Sequence, residues 1–341
     1  MKRLEKAVFI LTSAIILGGC GFNPLAQVTY KSDNPENNVA VYDNTTVLKE
    51  NMDLSWNMDS IHVNLSAGLV DILNIEHSND STVFTAGNLS YGENVLELQN
   101  KLNTYDKNIS FLAYSLDGNK AIGYNINTEY FSACTVKAGY ILYCYNEVEK
   151  GNGAITDVYT YTADMYHGGS GSIKDSPYGT QYTLEQLMNK ALSESDNVAY
   201  DMCYKRYGAD GYNAFLTELG CKTFLFSNGS NWGHNVKVKD SVIIWLNIYE
   251  YLRKDTELSR LLYESCTDTL YSFIGDALPE YDVSHKSGWN GEPLAAYSDA
   301  GIVYNGDSSY VIAIFTDSDG SKYDREFVND TIQRIDAIIN N

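Results

Sequence analysis

The nine residues FSACTVKAG, 131–139, set Cys134 and Lys137 three positions apart where a helix is predicted to begin. Residues i and i+3 of a helix share a face, so a side chain at 137 stands beside the group at 134. A lysine stripped of its proton by desolvation and neighbouring charge can accept a proton from that group, and a helix N-terminus favours the anion that results. A thiol so placed ionises more readily than a free cysteine. Two hydroxyls also lie in the stretch. Ser132 is five residues before Lys137, about 140° further round a helix of 3.6 residues per turn, and Thr135 faces elsewhere as well. Cys134 is therefore the group that can occupy the position beside the lysine.

The flanking sequence predicts the scaffold. Val95, Leu98, Leu102 and Tyr105 recur at helical spacing, and ISFLAYSL (109–116), Asp117-Gly118 and AIGYN (121–125) read as strand, tight turn and strand. From Phe131 to about Arg260 the pattern is mainly helical, broken by the Gly/Ser-rich HGGSGSIKDSPYG (167–179). Thr183 with Gln186 makes a capping box for the helix LEQLMNKAL (184–192). Strands return after Leu278 as VSHKSGW (283–289), AYSDAGIVY (296–304) and YVIAIFTD (310–317), and a last helix carries Val328, Ile332, Ile335 and Ile339 on one face. Strands at both ends with helices between them predict an α/β (α+β) fold. One antiparallel sheet, flanked by terminal helices, is closed by distant segments and takes an inserted all-helical lobe, with a cleft where lobe meets sheet.

Two further short elements fall in order for that cleft. Ser195-Asp196-Asn197 follows the capped helix, and Lys286-Ser287-Gly288 lies on the returning strand. With Cys134-x-x-Lys137 they match the S-x-x-K, S-D-N and K-T-G set of the penicillin-recognising enzymes, save for the cysteine. Over residues 92–341 the chain resembles the class A β-lactamase-like family of serine hydrolases, related to D-Ala-D-Ala peptidases. The segments YGTQYTLEQLMNKALSESDNVAY (178–200) and HKSGWNGEPLAAYSDAGIVY (285–304) also look like that family's surroundings of its second and third motifs. The resemblance implies catalytic roles for Cys134 as nucleophile, Lys137 as its base and Ser195 as relay of a proton to the leaving nitrogen. It implies that Asn197 holds the substrate amide, that Lys286 and Ser287 bind a carboxylate, and that Gly288 and Trp289 belong to the same binding strand. The oxyanion would be held by the backbone N–H groups of Cys134 and Trp289. β-Lactams or peptidoglycan stem-peptide ends are the implied substrates, and no cofactor is implied.

Two departures from that family bear on turnover. Sulfur is larger than oxygen and its bonds longer, so a carbonyl attacked by Cys134 sits displaced from an oxyanion hole shaped for serine; a misplacement of order 1 Å can cost about 10²-fold. The family's Glu-x-x-Leu-Asn pattern, whose glutamate activates the deacylating water, has no counterpart: Cys221 to Lys239 contains no Asp or Glu. His234 is the titratable base available in that stretch. Weak turnover is the expectation. The alternatives are an inactive homologue, with Cys134 an inert thiol, that binds cell-wall peptide through Asn197, Lys286 and Ser287, and a surface interaction module suggested by the 28 tyrosines.

The beginning of the chain predicts its place. Met1 to Lys6 is a short basic lead, Ala7 to Leu17 an apolar run too short to span a bilayer, and Leu17-Gly-Gly-Cys20 closes it with small residues. That resembles a lipoprotein signal over 1–20, with Cys20 lipidated after cleavage; an ordinary secretory signal is the other reading. The expected location is extracytoplasmic, held to the bacterial cell membrane by one acylated end. Residues 21–45, including SDNPENN, suit a flexible tether, and 46–91 carry a mixed signal in SIHVNLSAGLVDILNIEH (60–77). A formal charge of −20 disfavours nucleic acid as a partner. The five cysteines beyond Cys20 follow no metal-ligand spacing and the five histidines are scattered, so buried free thiols, no metal site and a monomer are expected.

Overall fold

The computed structural model describes residues 81–226, 232 and 236–341. The lipidation signal with Cys20, the tether, most of the 46–91 segment and His234 lie outside these residues. All the described residues fall within one compact unit.

Strands β1 (Phe84–Gly87), β2 (Ile109–Ser115) and β3 (Lys120–Tyr124) form one side of an antiparallel sheet, with helix α1 (Glu93–Leu102) between the first two. Strand β1 was not legible in the sequence: four residues ending at a glycine give too short an alternation, and pairing with β3 is what makes it a strand. The β2–β3 turn forms where predicted, with the Asp117 carboxylate accepting from Asn119 N–H at 2.9 Å and from the Ser115 hydroxyl at 2.6 Å.

The chain then leaves the sheet. Helix α2 (Val136–Glu149) runs through the lobe with every residue from Val136 to Tyr145 buried, as an element apolar all round must be. A two-stranded sheet of β4 (Val158–Thr160) and β5 (Gln181–Thr183) brackets the glycine-rich loop, a feature that the helical reading of this region missed. Helix α3 (Leu184–Ser193) starts at the predicted capping box: Thr183 Oγ1 accepts from Gln186 N–H at 3.2 Å, and Gln186 Oε1 accepts from Thr183 N–H at 2.9 Å. Helices α4 (Asn197–Tyr207), α5 (Asp210–Glu218), α6 (Val238–Leu252), α7 (Glu257–Thr267) and the short α8 (Phe273–Ala277) complete the insertion. Tyrosines fill much of it. Tyr140 lies within 6 Å of Tyr143, Tyr200, Tyr204, Tyr212 and Phe226, so this part of the tyrosine content serves core packing.

The sheet closes with β6 (Asp282–His285), β7 (Gly288–Asn290), β8 (Ala296–Tyr304) and β9 (Tyr310–Thr316), and helix α9 (Lys322–Ile339) ends the chain. The strand order is β1-β3-β2-β9-β8-β6, with β7 also paired to β8. Strand β9 inserts beside β2, Ile109 opposite Thr316, so segments some two hundred residues apart share one ladder. Both faces are covered. Leu112, Tyr114, Val311, Ala313, Phe315, Ala300 and Ile302 join the core beneath the lobe, while Phe111, Ala113, Ile312, Ile314 and Val303 face Val95, Leu98 and Leu102 of α1 and Val328, Ile332, Ile335 and Ile339 of α9. Alternate residues of one strand thus feed two different cores, which is why the central strands read as nearly unbroken apolar runs.

Candidate active site

The predicted helix start is preceded by one 3₁₀ turn, Ala133–Thr135, which carries Cys134 before α2 begins. The i, i+3 relation to Lys137 survives because the turn continues directly into the helix. The turn is strained: Ala133 takes φ = 42°, a left-handed value that a residue with a Cβ rarely adopts. Ser132 and Thr135 serve the turn itself. The Thr135 hydroxyl donates to Ser132 O at 2.6 Å and the Ser132 hydroxyl to Ala133 O at 3.1 Å. Cys134 is partly exposed, whereas Cys144, Cys203, Cys221 and Cys266 are buried, all as free thiols.

Lys137 is wholly buried. Its Nζ donates to Ser195 O at 2.5 Å and to Asn197 Oδ1 at 2.7 Å. Tyr200 and Trp232 flank it, with ring centroids 5.6 Å and 5.4 Å from Nζ. Two oxygens thus take two of its N–H groups, and the Cys134 side chain is close enough to act on the third electrostatically.

The second motif is held as firmly. Ser195 sits between α3 and α4 at φ = 54°, where its hydroxyl helps to lower the Cys134 thiol. Asp196 is fully buried and caps α4 through Ala199 N–H at 2.9 Å, while its other oxygen accepts from Ile173 N–H at 2.8 Å. Asn197 donates to Gly168 O at 2.8 Å. These bonds dock the glycine-rich loop onto the motif so closely that a Cβ on Gly171, at φ = +102°, would fall 2.2 Å from Asp196 Cγ. Sequence reasoning gave Asp196 no part in this docking. Its signal was the N-cap pattern, an aspartate directly before a helix.

The third motif lies where β6 passes into β7, and not within one continuous strand as its sequence suggested. The register nevertheless carries straight across, with His285 opposite Gly301 and Gly288 opposite Ser298. Lys286 is buried and donates from Nζ to Ser287 O at 2.8 Å; the Ser287 hydroxyl donates to Tyr271 O at 2.9 Å. Behind them, buried His285 meets Asp299 Oδ1 at 3.0 Å through Nδ1 and the Thr269 hydroxyl at 2.5 Å through Nε2. Trp289 is exposed and its Nε1 donates to Asp319 O at 2.7 Å. The backbone of β7 presses against the nucleophile turn: a Cβ on Gly288 would lie 2.8 Å from Cys134 N and 2.9 Å from both Ser132 O and Thr135 N.

The electrostatics follow from this packing. Burial works against a Cys134 thiolate, but the charges of Lys137 and Lys286 and the bonds from Ser195 and Lys137 outweigh it and hold the thiol below its ordinary range. Burial lowers Lys137 against the opposing pull of Cys134 and Asp196. Burial likewise brings Lys286 down to about 8, with Cys134 opposing and Lys137 reinforcing the shift. Cys134, Lys137, Ser195, Asn197, Lys286 and Gly288 are brought together where the turn before α2, the α3–α4 junction and the β6–β7 passage meet; Ser287 and Trp289 flank Gly288 on that passage. Among the described residues, no group of acidic, histidine or cysteine side chains is arranged to hold a metal.

This sheet, its inserted lobe and the ordered trio of motifs define a hydrolase of the β-lactamase and penicillin-binding-protein type. The chain belongs to the beta-lactamase enzyme family, whose model (Beta-lactamase2) matches residues 95–341. It is 25% identical to β-lactamase VEB-1 of Pseudomonas aeruginosa over 228 residues, 61% of this chain and 76% of that one. Its fold is similar to the solved structure of PBP-A, with a TM-score of 0.64 and 17% identity over 71% of this chain and 94% of that one. A β-lactamase from Sphaerobacter thermophilus DSM 20745 superposes with a TM-score of 0.63 and 20% identity over 72% of this chain and 95% of that one.

The contact at Gly288 is directly testable. Gly288→Ala is expected to force β7 off the Cys134 turn, to destabilise the fold by about 1–3 kcal/mol through overpacking, and to slow labelling of the Cys134 thiol as Lys286 shifts with the strand. Urea denaturation and the rate of thiol labelling measure the two effects; a variant that keeps full stability and full labelling contradicts the close packing.

Proposed function

We propose that the protein is an acyl-transfer enzyme that captures β-lactams or peptidoglycan peptide ends on Cys134 and releases them slowly. The observation that carries this reading is the seat of Cys134: buried Lys137, held on Ser195 O and Asn197 Oδ1, and buried Lys286 both act on its thiol, and β7 packs against its turn at Gly288. An inert structural thiol has no use for two buried lysines. A mutant of the similarly folded PBP-A, solved as an acyl-enzyme complex with penicillin G, supports β-lactams as the probe chemistry.

In the proposed sequence Cys134 attacks as the thiolate, its proton resting on Lys137. The S–C bond forms, and the C–N bond breaks as the Lys137 proton reaches the leaving nitrogen through the Ser195 hydroxyl. Asn197 orients the substrate amide. Charged Lys286, with Ser287, binds the substrate carboxylate beside the Gly288–Trp289 strand, whose Trp289 N–H acts with that of Cys134 on the developing oxyanion. With no Asp or Glu from Cys221 to Lys239, hydrolysis of the thioester lags its formation. We further propose that the enzyme works outside the cytoplasm, anchored through lipidated Cys20, a reading supported by the N-terminal sequence.

A fluorescent penicillin should add its mass to the reduced, folded protein on Cys134, and Cys134→Ala should abolish the adduct. No adduct on the unmutated protein would sink the acyl-transfer reading, and reversible binding of a D-Ala-D-Ala peptide by Cys134→Ala would favour a binding role in its place.

The pH profile has a defined sign. Acylation by penicillin should fall on the acid side as Cys134 is protonated at a pH below the ordinary thiol range, and on the alkaline side as Lys286 loses its charge near pH 8. Iodoacetamide carries no carboxylate, so its rate should keep the acid limb and lack the alkaline fall. Identical profiles for the two reagents would remove Lys286 as the carboxylate site. For localisation, membrane fractionation should find the intact protein in the membrane and Cys20→Ala outside it; equal partition of both would refute the anchor.

A further inference from the structure

Release of an acyl group from Cys134 needs a base for the attacking water, and this inference rests on the acyl-transfer reading above. The titratable groups around the cleft are nearly all committed. Asp196 spends one oxygen on Ala199 N–H and the other on Ile173 N–H. Asp299 accepts from Phe273, Ile274 and Ala300 N–H and from His285, whose two ring nitrogens are both engaged. Lys137 and Lys286 are buried cations inside the nucleophile's own network.

His167 is different. Its Nδ1 meets Asp201 Oδ2 at 2.5 Å; a carboxylate only accepts, so Nδ1 is the donor and, in the neutral imidazole, Nε2 carries the lone pair. The side chain is 36% exposed, and among the described residues no hydrogen bond engages Nε2. Its position is fixed at two points on one helix face. Asn197 and Asp201 stand one turn apart on α4; Asn197 holds both Lys137 and Gly168 O, and Asp201 holds the neighbouring His167. The imidazole packs edge-on against Trp232 at 5.6 Å, and Trp232 lies 5.4 Å from Lys137 Nζ.

We propose that His167 is the general base that deacylates Cys134, with Asp201 as its positioning residue. A water proton passes to Nε2 while the water oxygen bonds to the thioester carbonyl carbon. The C–S bond then breaks with its electron pair on sulfur, leaving a thiolate beside Lys137 and a free carboxylic acid. The imidazolium returns its proton to solvent. The arrangement would supply a base from the docked glycine-rich loop to a protein whose Cys221–Lys239 segment has no Asp or Glu.

The full-length protein is labelled with fluorescent penicillin, excess reagent is removed, and loss of the Cys134 adduct is followed by mass spectrometry. His167→Gln is expected to label like the unmutated protein and to lose its adduct about 10²-fold more slowly. His167→Ala should show the same delay, relieved by added imidazole, which a merely structural role would not produce. Asp201→Asn should slow release more than it slows labelling. Unchanged release from a labelled His167→Gln, or a delay found in His234→Gln instead, overturns the proposal and leaves acyl capture standing. Failure of the unmutated protein to label removes the acyl-transfer reading itself, and this proposal with it.

Discussion

A lysine side chain with no solvent exposure organises this molecule. Desolvating a cation costs several kcal/mol unless hydrogen bonds and opposite charge replace the water. Lys137 has no solvent contact, so the chain has to supply those partners from three places: the turn at Cys134, the carbonyl of Ser195 and the amide of Asn197. Ser195 accepts a left-handed backbone with its carbonyl on Nζ, and Asp196 spends a buried carboxylate on locking that geometry. The strain at Ala133 and Ser195 is thus local to the two segments that must meet at one nitrogen.

The same cation links stability to reactivity. Lys137 and Lys286 both lower the Cys134 thiol, Lys286 acting from the β6–β7 passage of the sheet. Two buried like charges repel, and a thiolate between them relieves both. The surroundings therefore act on the group that stands at 134 by holding its thiol below the ordinary range.

The three motifs and most of the regular elements were legible in the sequence because they rest on local rules. The Thr183–Gln186 capping box, the Asp117-Gly118 turn and the apolar face of α9 all follow from spacings within one or two turns of chain. What escaped depends on long-range contact. β1 exists through its partner β3, the loop after Tyr166 is ordered by Asp196 and Asn197, and the separation of β6 from β7 follows the local hydrogen bonding of a strand whose register never changes. The pairing of His167 with Asp201 carried one faint signal: Asp201 falls a helical turn beyond Asn197, on the face already assigned to the cleft.

Strand β9, late in the chain, stands between β2 and β8, and this placement bears on when the site can be completed. Sheet closure requires Ile109 to find Thr316 across the whole helical insertion, a slow step in any fold dominated by distant pairings. Lys286 takes its place only when β6 and β7 join β8, so until then Cys134 lacks one of its two flanking cations. The pairing that completes the sheet therefore also completes the electrostatic surroundings of the thiol.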